Sequence, residues 1–193
     1  MLIKHDFEVS QPIEKVWEFC SDIPNVASCL PGATLTDEIA EDHYEGNVAI
    51  HLGPVQMQFA GRAAVKERDE ATKTIVVDAT GADQKGRGQA ALGLTARLVP
   101  TANGTRVEVE QDLQLSGAAA QYGRGMVSDV SAVMLRDFAT NMQTRIDAFD
   151  RGVALDEVET KSAGGFSIGL AAAWMALKRV ARRLFLPYQP TRT

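Results

Sequence analysis

Residues 10–33, SQPIEKVWEFCSDIPNVASCLPGA, hold the punctuation that decides the fold. Pro12 suits the first turn of a helix, where its missing N–H is not needed. Ile13, Val16, Trp17 and Cys20 then recur at helical spacing, so one face of that helix packs inward. A second short helix is predicted over 23–30, with Pro24 in its first turn and Pro31-Gly32 after its end. On both sides of this helical pair the chain reads as strand.

Upstream, residues 2–9 alternate in strand fashion until Ser10-Gln11-Pro12 stops them. Downstream, strands are predicted over 33–40, 43–52, 55–68, 73–81, 86–100 and 105–116, seven with the first. The breaks are Glu41-Asp42, Gly53-Pro54, residues 69–72, residues 81–85 and residues 101–104, mostly hairpin-length and rich in turn residues. Such short links imply an antiparallel meander. The chain then becomes helical: Tyr122, Met126, Val130, Val133, Met134, Phe138, Met142, Ile146 and Phe149 recur every three or four residues, with charged positions between them. A helix over 125–150 would be about 39 Å long, enough to cross such a sheet.

Composition bounds the function. The 193 residues, 45% hydrophobic and 23% charged, suit one soluble domain with an appendage. Six basic side chains and no acidic one fall in residues 161–193, leaving 14 Lys and Arg against 25 Asp and Glu, a net charge of -11, in residues 1–160. An acidic body argues against nucleic acid as a partner. The start lacks the apolar core of a signal peptide, which makes the cytoplasm the expected compartment. Cys20 and Cys29 read as buried free thiols, and His5, His43 and His51, which lack metal-ligand spacing, as surface or rim residues, so no metal is expected.

The element order is that of an α+β helix-grip fold of the START and Bet v 1 type. Asp6-Phe7, Pro12-Ile13-Glu14-Lys15-Val16-Trp17, Asp22-Ile23-Pro24 and Cys29-Leu30-Pro31-Gly32-Ala33 resemble the opening of the carbon monoxide dehydrogenase G-subunit family. Gly53-Pro54-Val55, Phe59-Ala60-Gly61 and Gly123-Arg124-Gly125-Met126 resemble later motifs of the same family. The likeness covers about residues 1–150. It implies a curved sheet wrapped on the last helix with an apolar cavity between them. On the helix, Tyr122, Met126, Val130, Val133, Met134, Phe138 and Met142 would line that cavity, opposite Trp17, Met57 and Phe59. Periodicity alone favours ordinary core, and it is the resemblance that brings the cavity reading level with it.

No catalytic constellation is visible. There is no GxSxG elbow, and Gly86-Arg87-Gly88 is a weak match to a phosphate loop because a strand follows it. Asp129 and Asp137 fall on the charged helix face, and Tyr122 is better suited to hydrogen-bonding a ligand than to catalysis. A cyclase, aromatase or hydrolase on this fold would need a polar group aimed into the pocket from Tyr122, Asp83, His43 or His51.

Residues 151–165 read as a flexible linker and 166–193 as a basic amphipathic tail. The uncharged run 163–177 is shorter than the roughly 18 to 20 apolar residues that span a bilayer. On a helix, Phe166, Leu170, Trp174, Leu177 and Leu184 share one face, and Lys178, Arg179, Arg182 and Arg183 lie on the other. That pattern suits a helix lying on an anionic membrane surface, where each basic residue contributes roughly 1 kcal/mol. A tail folded back on the domain, or bound to a partner protein, is the alternative.

The expectation is therefore a non-enzymatic accessory protein, peripheral on the inner face of the cell membrane. It would hold an apolar small molecule or lipid, with a respiratory quinone as the suggested ligand and no covalent cofactor. The resemblance implies a molybdenum-hydroxylase type oxidase, of the carbon monoxide dehydrogenase kind, as the partner to be recruited. A ligand-free scaffold whose tail grips a partner is the third possibility.

Overall fold

The computed structural model describes residues 1–52 and 55–150. The Gly53-Pro54 turn, the predicted linker and the predicted tail lie outside the described residues. The order of elements is β1 (Leu2–Val9), α1 (Ile13–Ser21), α2 (Ile23–Cys29), β2 (Ala33–Ala40), β3 (His43–Leu52), β4 (Val55–Asp69), β5 (Thr74–Asp83), β6 (Gln89–Thr101), β7 (Gly104–Leu115), a 3-10 turn (Gly117–Gln121) and α3 (Arg124–Asp150).

Seven antiparallel strands form one sheet in the order β1-β7-β6-β5-β4-β3-β2. Only β1 breaks the meander, pairing with the last strand from Leu2↔Asp112 to Val9↔Thr105. The helical pair α1 and α2 therefore carries the chain from one edge of the sheet to the other. Asp22 caps α2 by accepting from the Asn25 N–H at 3.1 Å. Gly32 then takes φ +76°, a conformation that favours glycine, and accepts from the Ala49 N–H at 2.9 Å as the chain enters β2.

The β5–β6 connection differs most from the sequence reading. The glycine at position 81 predicts a break over 81–85, yet β5 runs on to Asp83 and the turn falls at residues 84–88. Asp83 causes the shift. Its carboxylate accepts from the backbone N–H of Lys85 at 3.1 Å and of Arg87 at 3.2 Å, which builds the turn one step later than glycine alone suggests.

The core lies between the sheet and α3. Met142 and Ile146 of α3 pack with Val65, Ile75, Leu98, Val107 and Val109 of the sheet and with Val16, Cys20 and Cys29 of the short helices. Polar contacts fix the same end. Asn141 donates to the Cys29 carbonyl at 3.0 Å, Gln11 donates to Asp147 at 2.9 Å, and the Ser10 N–H donates to the Gln143 side chain at 2.8 Å.

Candidate functional site

Alternation along β4 turns Met57 and Phe59 to the same face, and a spacing of four turns Val130 and Met134 of α3 toward them. Met57 (1% exposed), Phe59, Ala119 and Val130 form a second buried cluster under the head of α3. Ile50, Val55, Ala90, Leu115, Tyr122 and Met134 surround it and are only partly buried.

Five of the ten residues expected to line a ligand site thus meet: Met57, Phe59, Tyr122, Val130 and Met134. Three do not join them. Met142 is in the cluster at the far end of α3, and Trp17 and Phe138 pack against that same cluster. Trp17 also carries the Lys73 ammonium 5.1 Å from its ring centroid, a cation–π contact away from the Met57 cluster. Val133 is buried, and Met126, at 36% exposure, lies open on the first turns of α3.

The polar edge of the Met57 cluster is built by the β5–β6 turn. The Arg87 guanidinium forks onto Asp83, with Nε at 2.8 Å from Oδ2 and Nη2 at 2.7 Å from Oδ1. Nη2 also donates to the Gln56 carbonyl at 2.9 Å, tying the turn to β4. A third backbone N–H, from Gln58, reaches Asp83 at 3.2 Å. The Arg87 side-chain bonds, with these backbone donors, hold the Asp83 carboxyl well below the usual carboxylate range. The 3-10 turn sits on this structure, since the Ala118 N–H donates to the Arg87 carbonyl at 2.6 Å and a Cβ on Gly117 (φ +65°) would collide with that same oxygen. Tyr122, the next residue after the 3-10 turn, consequently has Arg87 as its charged neighbour.

This arrangement limits acid-base chemistry. Asp83 is fully engaged and ionised, so it offers no proton near neutral pH. His43 is exposed and its Nδ1 lies 2.7 Å from the Glu41 carbonyl. Burial pushes the Cys20 thiol up to about 12, helped by Cys29, and pushes Cys29 up to about 11, so both are thiols and poor nucleophiles at neutral pH.

A groove of about 600 Å³ opens on the other side of α3, between that helix and the edge strand β1. Phe7, Ala132, Leu135 and Ala139 supply its apolar wall, and none of the expected site residues lines it. Phe7 meets Phe138 edge to face, with centroids 5.8 Å apart. His5, expected as a surface or rim residue, lines this groove half-buried, because it shares the inward face of β1 with Ile3, Phe7 and Val9. Its Nε2 is buried and has no hydrogen-bond partner among the described residues. The polar step between two apolar ones in a half-buried strand was the available signal for this position.

Among the described residues no helix is long and apolar enough to cross a membrane. No curated protein matches the chain. A conserved protein from Geobacillus kaustophilus shares the fold at TM-score 0.68 and 20% identity, over 76% of this chain and 95% of that one. The Zhui aromatase/cyclase from Streptomyces sp. R1128 superposes at TM-score 0.56 and 14% identity, over 80% of this chain and 99% of that one. A START superfamily protein from Mycobacterium smegmatis superposes at 0.53 and 16%, over 77% and 98%. These likenesses establish a START-type helix-grip fold. Residues 6–147, the grip from β1 almost to the end of α3, match the family model of the carbon monoxide dehydrogenase G subunit (CoxG), and the chain belongs to that family.

Proposed function

We propose that the protein is a non-enzymatic accessory subunit that carries an apolar ligand under α3 and brings a molybdenum-hydroxylase type oxidase to the membrane. The observation that carries the ligand half is the Met57 cluster, four buried residues ringed by six that are only half covered. Its methionines, Met57 and Met134, adapt to different shapes, and Tyr122 at the edge offers a hydroxyl to a ligand oxygen. Family membership supports an oxidase as partner. The basic, acid-free residues 161–193 support an anionic membrane surface as the place of docking. A respiratory quinone fits both, being apolar, ring-shaped and resident in the bilayer.

Solvent extraction of the full chain, purified without detergent and mixed with quinone, should recover quinone in stoichiometric amount by mass spectrometry. Protein recovered empty after that treatment sinks the carrier role. Flotation with anionic vesicles tests docking: the full chain should rise with the lipid and a chain ending at Asp150 should stay below, whereas equal distributions would remove the tail from the account. A pull-down from native membranes that brings no oxidase would remove the partner.

A further inference from the structure

We propose that the head of α3 and the β5–β6 turn beside it form a docking face for an anionic bilayer, with Lys85 and Arg124 on the lipid phosphates and Met126 at the boundary of the acyl chains. The proposal rests on the carrier reading and deepens it. Residues 161–193 would hold the protein at the membrane, and this face would turn the Met57 cluster toward the lipid, so that an apolar ligand enters without crossing water.

Three observations meet there. First, the meander sorts charge by end. Its connections alternate between the two ends of the strands, so residues 84–88 lie beside residues 116–123, which lead into α3. Those two segments hold Lys85 and Arg87 and no acidic residue, and Arg124 follows at once. The hairpins at the opposite end, residues 41–42 and 70–73, hold Glu41, Asp42 and Glu70 against Lys73. On the elements that reach the head, the acidic groups are engaged or withdrawn: Asp83 is held by Arg87 at 2.7 Å, Asp112 by the Met1 ammonium at 2.9 Å, and Asp129 is half-buried. Since Asp83 matches Arg87, the excess positive charge rests on Lys85 and Arg124, both exposed.

Second, an apolar path leads from this face to the cluster. Met126 stands one helical turn before Val130 on the same side of α3, and it is open to solvent where Val130 is buried. Third, the tips stand clear. A Cβ added at Gly86 or Gly123 would meet no atom within 4 Å, which leaves both free to approach a flat surface. An anionic bilayer complements charge and path together, because it presents phosphates at its surface and apolar chains beneath them. It also repels the acidic opposite end, and that repulsion fixes the orientation.

The test spin-labels the full chain at Gly123→Cys, where the added side chain meets open space, and separately at Ala71→Cys in the opposite hairpin; the buried native thiols should stay unlabelled. On vesicles of phosphatidylcholine and phosphatidylglycerol, the label at 123 should become more accessible to oxygen and less accessible to a water-soluble nickel chelate. The label at 71 should remain as in solution. Lys85→Gln combined with Arg124→Gln should still float with these vesicles through the tail, yet lose the lipid signature at 123 and take up menaquinone from them about tenfold more slowly. Equal lipid signatures at 123 and 71, a signature at 71 alone, or unchanged uptake by the double variant would overturn the face. A double variant that keeps the signature at 123 but no longer brings down the oxidase from native membranes would assign Lys85 and Arg124 to the partner protein, and overturns it too. The label reads contact and the solvent extraction reads cargo, so loss of the face leaves the carrier role to be judged separately.

Discussion

The two ends of α3 are built differently. At the C-terminal end, eleven buried residues from α1, α2, five strands and α3 form one cluster, tied by Asn141 to the Cys29 carbonyl. At the N-terminal end the cluster holds only four, and the 3-10 turn that leads into the helix is bonded to the β5–β6 turn. The first end is packed from three directions, and the second is packed from below and open at its rim. A close-packed region resists any change of volume, whereas a partly covered one can admit a guest at lower cost. The fold is thus held more tightly at one end of its long helix than at the other.

Substitutions can break this contrast. Met142→Ala should have the largest effect, a loss of about 4 kcal/mol in urea unfolding, because the cavity is ringed by residues that cannot collapse into it. Met57→Ala, at the same 1% exposure, should lose only about 2 kcal/mol, since Tyr122 and Met134 can close over the gap. Equal losses for the two would mean that both ends are equally rigid. Asp83 gives a smaller, pH-dependent difference. Its folded pKa is depressed, so its contribution is present above the unfolded value of about 3.9 and is lost as pH falls below that. Asp83→Asn should lower the melting temperature at pH 7 and flatten its decline below about pH 4. An unchanged acid limb would show that the Arg87 fork does not hold the turn. Least affected should be Lys73→Gln, which removes the ammonium over Trp17 at about 0.5–1 kcal/mol, measured by the same unfolding curves.

Much of the fold was legible because its signals are local. Pro12, Pro24 and Gly32 mark helix ends through backbone torsions that depend on no distant residue, and the helix and strand periods carried the rest. The β5–β6 turn was misplaced because its position depends on a side chain, Asp83, bonding to Arg87 four residues on. Half of the candidate site was legible for the same reason that it was ambiguous. A single apolar stripe on α3 contains Val130, Met134, Phe138 and Met142, and period alone does not divide it. The division comes from what faces each residue: Met57 and Phe59 near the head, Val65 and Leu98 with α1 and α2 near the tail. The facing of His5 was not legible, because a lone histidine in a strand looks the same facing in or out. Its burial is decided by the alternation set by Ile3 and Val9 and by α3 lying across that face.

The order of elements, the antiparallel meander, the long closing helix, the family, and the opposition of an acidic body to a basic C-terminal segment are all written in the amino-acid order. They follow from torsions, periods and charges that each residue carries wherever it sits. Only the folded chain shows that β1 closes the meander beside β7, that the stripe on α3 serves two clusters, and that Asp83 and Arg87 are locked together. Folding also opens a groove beside His5. These features depend on which surfaces far apart in the chain come face to face, and burial, hydrogen bonding and ionisation take their values only once that has happened.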